Sequence, residues 1–123
     1  MRTITALLAE RDVELAATFG ASEDVAKAVG DPLLIVREMG IEAQMQEAGL
    51  TYTPKWSFTV ANVPKIIHIG MRAAGSKATL AEVQDLAFDH GLLEAREVAS
   101  EYLAALVTPE SAAAGSGNAD GKK

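Results

Sequence analysis

The chain has 123 residues, 49% of them apolar, with no cysteine and a net charge of −6. That length supports one domain with a single core, and the missing cysteines exclude disulfides, thiolate metal sites and Cys nucleophiles, in keeping with a reducing cytoplasm. The acidic balance argues against a nucleic-acid partner, which needs a positive surface, and no apolar run approaches the roughly 18 residues of a membrane span.

The opening M-R-T-I-T-A-L-L-A-E-R-D is charged too early to read as a secretory signal. Residues 3–19 admit two readings. As strands, Ile4, Ala6 and Leu8 share a face, Glu10-Arg11-Asp12 turns, and Val13, Leu15, Ala17 and Phe19 share a face again. As a helix, Ile4, Leu8, Leu15 and Phe19 align, interrupted by Arg11 and Asp12, and the Ala- and Leu-rich composition favours it. Ser22 then caps a short helix over Glu23 to Val29, with acids in its first turn. After Gly30, Asp31 caps and Pro32 opens a helix that runs to about Ala48. Leu33, Val36, Gly40 and Ala43 lie on one side of it, with Met39 and Met45 near, and Gly40 marks either a close approach or a bend.

From Leu50 to Val60 apolar and polar residues alternate, the period of an extended strand. Pro54 restricts it to an edge strand or an extended loop. Tyr52, Trp56 and Phe58 lie here, in a chain with one Trp, two Tyr and three Phe. Trp56 and Phe58 either lid the core, as large aromatics do, or anchor a docking surface. Tyr52, Trp56, Phe58 and the Ile66–Ile67 face are accordingly the candidate protein-interaction residues.

Three helices close the sequence. Asn62 caps the first, Pro64 sits in its opening turn, and Val63, Ile66, Ile67 and Gly70 form its apolar stripe. Gly75 stops it. Thr79 and Glu82 form a T-x-x-E capping box for the second, in which Leu80, Val83, Leu86 and Ala87 recur at helical spacing until Gly91. The third presents Leu92, Ala95, Val98, Ala99, Tyr102, Leu103 and Leu106, and stops at Thr108-Pro109. Residues 110–123 hold no apolar side chain larger than Ala and read as a flexible low-complexity tail, leaving 1–109 as the globular domain.

Charge is unevenly spread. No acid lies between Glu47 and Glu82, where Lys55, Lys65, Arg72 and Lys77 fall; from Glu82 to Glu101 six acids face only Arg96. Either the two segments compensate within one molecule, or they make head-to-tail contact between copies or steer a partner. Catalytic, cofactor and metal residues are not expected. Gly70 to Lys77 reads G-x-x-x-x-G-S-K, which reverses the order a P-loop needs and follows a helix, so it is a helix stop. His68 and His90 lack the spacing of a metal site. His90 complements the negative end of its helix and His68 is a packed helix residue. Ser100, His90 and Asp85 could compose a triad, but no nucleophile motif accompanies them.

The order of features carries a resemblance. A segment ending T-F-G leads to G-D-P-L-L-I-V-R-E-M-G. W-S-F-T-V and N-V-P-K-I-I-H-I-G-M-R-A-A-G follow, then T-L-A-E-V-Q-D-L and G-L-L-E-A…Y-L-A-A-L-V-T-P-E. Over residues 1–109 this resembles the tail assembly chaperones of long-tailed bacteriophages and gene transfer agents, most closely from Trp56 to Pro109. The resemblance favours the hairpin for residues 3–19. It implies an α+β, mostly helical fold: a β-hairpin, joined if at all by an edge strand at 50–60, packed on about five short helices. It further implies a non-enzymatic protein of the host cytoplasm that binds the tape measure protein and tail tube subunits and leaves before the tail is complete. Homo-oligomerisation is compatible with it. The rival readings are a structural tail or connector component of the virion and a small helical interaction adaptor.

Overall fold

The computed structural model describes residues 2–109; the tail expected over 110–123 lies outside them. In chain order it has β1 (Arg2–Leu8), β2 (Arg11–Ala17), α1 (Phe19–Ala28), α2 (Pro32–Glu47), α3 (Asn62–Ala73), α4 (Leu80–His90) and α5 (Leu92–Val107). The two strands form an antiparallel hairpin, with Arg2 opposite Ala17 and Leu8 opposite Arg11. Ala6, Leu8, Val13 and Leu15 point into the core, as their alternation requires. This is the expected α+β, mostly helical architecture.

The hairpin turn falls on Ala9 and Glu10, not on Glu10–Asp12. Both residues have positive φ, 52° and 66°, the geometry of a two-residue turn that matches strand twist. Arg11 is thereby released into β2.

Helix α3 is the axis of the domain. Its expected stripe of Val63, Ile66, Ile67 and Gly70 is buried, and so are Pro64, Ile69 and Met71. Such a wide apolar arc marks a helix covered on several sides, and β2, α1, α4 and α5 all pack on it. Gly70 is the closest approach. A Cβ there would lie 2.7 Å from Leu15 Cδ2 and 2.9 Å from Tyr102 Cζ. Tyr102 is fully buried, and its hydroxyl donates to the Ala16 carbonyl at 2.7 Å, joining α5 to β2. Burial pushes the Tyr102 phenol well above its usual range.

The helix ends follow local chemistry. Thr79 and Glu82 exchange the two bonds of a capping box at 3.2 and 2.8 Å. At Gly75, φ +98°, Ser76 N–H bonds to the Met71 carbonyl and Gly75 N–H to the Arg72 carbonyl, the paired bonds of a left-handed helix stop. Two starts differ from expectation. Thr18, not Ser22, caps α1: its Oγ1 accepts from Ala21 N–H at 3.0 Å, while Ser22 Oγ donates to the Phe19 carbonyl from inside the helix. Phe19 therefore leaves the sheet and opens α1 as an exposed residue. At α3, Thr59 Oγ1 accepts from Asn62 N–H while Asn62 Oδ1 accepts from Thr59 N–H. Asn62 is thus the third-position partner of a reciprocal cap, not the cap itself.

The inward face of α2 is Ile35 and Glu38, with Val36 and Met39 packed on the core beside them as expected, whereas Leu33, Gly40 and Ala43 are exposed. Leu33 is 69% exposed, and a Cβ on Gly40 would touch nothing within 4 Å, so Gly40 serves no close approach.

Candidate protein-interaction surface

Residues 50–60 form an extended strap, not an edge strand; the described sheet has only the two strands of the hairpin. The alternation is real all the same. Tyr52, Pro54, Trp56 and Phe58 are half-buried and the residues between them exposed. Periodicity reports which side faces the core, whereas pairing needs a neighbouring backbone, and Pro54 removes a donor from this one. Side chains hold the strap instead.

Glu38, 2% exposed, is the main anchor. Its Oε1 accepts from Lys55 N–H at 2.8 Å and from the Tyr52 hydroxyl at 2.7 Å. The Lys55 N–H first, and then the Tyr52 hydroxyl, hold the Glu38 carboxyl below its usual value; the bond to Glu38 raises the Tyr52 phenol. Further on, Trp56 Nε1–H donates to the Val29 carbonyl at 2.9 Å, and its ring meets Phe58 edge-on at 4.9 Å between centroids. Trp56 and Phe58 pack against the core cluster. Both stay half-buried, covering the edge of the core.

The candidate residues therefore separate. Ile66 and Ile67 are fully buried; α3 is surrounded, so they present no face to a partner. Tyr52, Trp56 and Phe58 lie together on the strap, with their polar or aromatic contacts made inside the chain.

The exposed large apolar side chains are elsewhere. Phe19 and Leu33, 80% and 69% exposed, border a groove of about 430 Å³ with Pro32, Leu106 and Val107. Val60 and Leu93, 72% and 69% exposed, border a second of about 190 Å³, into which Phe58 and Leu92 also face. Sequence reasoning missed the first groove for two reasons. Alternation along residues 13–19 places Phe19 on the strand face, and helical spacing places Leu33 on the inner side of α2. Thr18 is the available signal, since Thr is also among the favoured capping residues and a cap there moves Phe19 into the helix.

The titratable candidates are used structurally. His68 Nε2 donates to the Ala78 carbonyl at 3.0 Å, pinning the loop after α3. His90 stands in the last turn of α4, and its Nδ1 accepts from Ala9 N–H at 3.1 Å, tying that helix end to the hairpin turn. Ser100 Oγ meets Met39 Sδ at 3.8 Å, so Ser100, His90 and Asp85 are not joined by hydrogen bonds. The G-x-x-x-x-G-S-K run is a helix stop, followed by Ser76 Oγ accepting from Ala78 N–H at 3.1 Å. Among the described residues no cluster of three or more His, Cys, Asp or Glu could hold a metal, and no helix is long and apolar enough to cross a membrane.

The ion pairs bear on the uneven charge. Among the described residues Arg72 pairs with Asp24 and Arg96 with Glu97, each at 3.6 Å. Neither joins the basic segment to the acidic one.

Compared with known proteins, the chain matches no family model, no curated protein and no solved structure.

Proposed function

We propose that this protein is a tail assembly chaperone of the kind found in long-tailed bacteriophages and gene transfer agents. It binds the tape measure protein, keeps that long helical chain in solution and helps recruit tail tube subunits, without catalysis. The observation that supports this reading is the groove bordered by Phe19 and Leu33. It exposes large apolar side chains on a domain whose core is complete without them. An exposed apolar groove between helices is a seat for the apolar face of a partner helix. The net charge of −6 supports solubility of the complex.

Two measurements test it. The tape measure protein of the same particle, produced alone and with this chain, should be insoluble in the first case and soluble in the second. Mass spectrometry of purified particles should find this chain absent or scarce. Abundance there would instead make it a structural tail or connector component. A soluble tape measure protein that never co-purifies with it would make it an interaction adaptor of another kind.

A further inference from the structure

The molecule carries a net charge of −6, yet the fold gathers cations in one place. Lys27 of α1 and Lys65 and Arg72 of α3 line a groove of about 420 Å³ that reaches Leu80 at the start of α4. The one acid lining it is Asp24, which meets Arg72 at 3.6 Å with both side chains about half exposed. Such a pair is weak and exchangeable. Among the described residues Lys27 and Lys65 make no ion pair. The base of the groove is apolar, with Ile69 buried between Lys65 and Arg72 and Leu80 half-buried beyond it. His68 donates to the Ala78 carbonyl and so holds the loop after α3 beside the groove.

Lys65 and Arg72 stand two turns apart on one side of α3, about 10 Å along its axis. Cations held that far apart do not converge on a single phosphate-sized anion. They match carboxylates two turns apart on a helix laid along α3, with Lys27 on the opposite bank. Ile69 and Leu80 then meet the apolar side chains of such a helix, a contact that a phosphate backbone does not use, and the net charge repels nucleic acid. We infer that this groove is a docking site for an acidic amphipathic helix of a partner protein. The occupant carries Glu or Asp two turns apart, with an apolar side chain on the turn between them. Charge complementarity sets its register. The repulsion from the rest of the molecule is screened beyond about 8 Å at physiological ionic strength, whereas these ion pairs form at contact range. The groove shares no residue with the one bordered by Phe19 and Leu33, so this inference does not depend on the chaperone reading.

Fluorescence anisotropy of a labelled probe with the full chain tests it. The probe is an alanine-based helical peptide with two glutamates two turns apart and a leucine between them; its counterpart has glutamine at both positions. The glutamate peptide should bind, more weakly as salt rises, and the glutamine peptide at least about tenfold more weakly. Lys65→Glu/Arg72→Glu should lose about tenfold or more in affinity for the glutamate peptide. Lys77→Glu/Arg96→Glu makes the same change of charge outside the groove and should bind nearly as wild type does. If the α3 variant fails to fold by circular dichroism, Lys27→Glu, exposed on α1, must still weaken binding. A glutamate peptide that stays free up to about 1 mM protein overturns the inference. So do equal affinities for the two peptides, or a Lys77→Glu/Arg96→Glu protein that loses as much as the groove variant. Inorganic phosphate or a single-stranded oligonucleotide that displaces the peptide at lower concentration than unlabelled peptide does would give the groove to another anion, and also overturns it. A peptide that stays free while the groove variant alters only the protein's sedimentation would seat a second copy there, with the same result.

Discussion

The indole N–H of Trp56 donates to the carbonyl of Val29, the residue that ends α1, at 2.9 Å. A strap residue thus satisfies a carbonyl that the helix end leaves free, and it does so beside Gly30, where a Cβ would lie 3.2 Å from the indole nitrogen. Trp56→Phe keeps a ring against Phe58 but loses this bond. It should cost about 1 kcal/mol, or a fall of about 4–8 °C in Tm. Trp56→Ala also removes the half-buried ring and should cost about 3 kcal/mol. Thermal denaturation by circular dichroism checks both. A Trp56→Ala protein as stable as wild type would mean that the strap is not a lid.

Two mid-helix glycines should respond to the same substitution with opposite sign. Gly40→Ala adds a methyl group where nothing lies within 4 Å, so it gains helix propensity and should stabilise by up to about 1 kcal/mol. Gly70→Ala drives its methyl group to 2.7 Å from Leu15 and 2.9 Å from Tyr102. The resulting overpacking outweighs the propensity gain and should destabilise by about 1–3 kcal/mol. Urea unfolding of the pair measures both. Stabilisation by Gly70→Ala would contradict the close packing of α3 on β2 and α5.

Glu38 and Tyr52 predict an asymmetric pH profile. Glu38 titrates below its usual 4.5 in the folded state. Its contribution is therefore present above pH 4.5 and is lost as pH falls through the lower folded value. Tyr52 is raised above its usual 10.0, so its contribution is present below pH 10 and is lost as pH climbs through the higher folded value. Glu38→Gln should flatten the acid limb of a stability–pH curve, and Tyr52→Phe the alkaline limb attributable to that phenol. An unchanged acid limb in Glu38→Gln would remove Glu38 as the anchor of the strap.

The hairpin turn carries two non-glycine residues at positive φ, Ala9 and Glu10, each costing about 1–2 kcal/mol relative to a residue suited to that region. Asn-Gly is the preferred pair for such a turn, and Asn at position 9 keeps the N–H that His90 Nδ1 accepts. Ala9→Asn/Glu10→Gly should raise stability by at least about 1 kcal/mol. A loss of stability in urea unfolding would show the turn to be of another kind.

Elements whose signal lies in their own residues were legible in the sequence. The Thr79–Glu82 box, the Gly75 and Gly91 stops and the apolar stripe of α3 stand where the sequence puts them. Features that depend on what lies opposite were not. Glu38 is a charged residue on a helix until Lys55 and Tyr52 fold over it, so the sequence places Val36 and Met39 inward correctly but sets Leu33 and Ala43 there in place of Ile35 and Glu38. The strap alternates like a strand, but no strand edge lies beside it. Ile66 and Ile67 share a stripe as apolar as any docking face, and only the packing of β2 and α5 on α3 shows it to be interior. The Phe19 side of the groove turns on one cap, because a helix that starts at Thr18 and one that starts at Ser22 send Phe19 to different places, and the Leu33 side turns on which face of α2 lies inward.

The proposed function rests on the exposed Phe19–Leu33 groove, and on no buried stripe, as the seat of a helical partner. Co-expression with the tape measure protein of the same particle, followed by purification through a tag on this chain, tests it most directly when wild type is set beside Phe19→Asp/Leu33→Asp. Both positions are exposed, so the variant should keep the wild-type circular dichroism. The account predicts a soluble complex with the wild type, and a folded variant that leaves the tape measure protein in the pellet. A folded variant that recovers the tape measure protein as well as wild type does would contradict it.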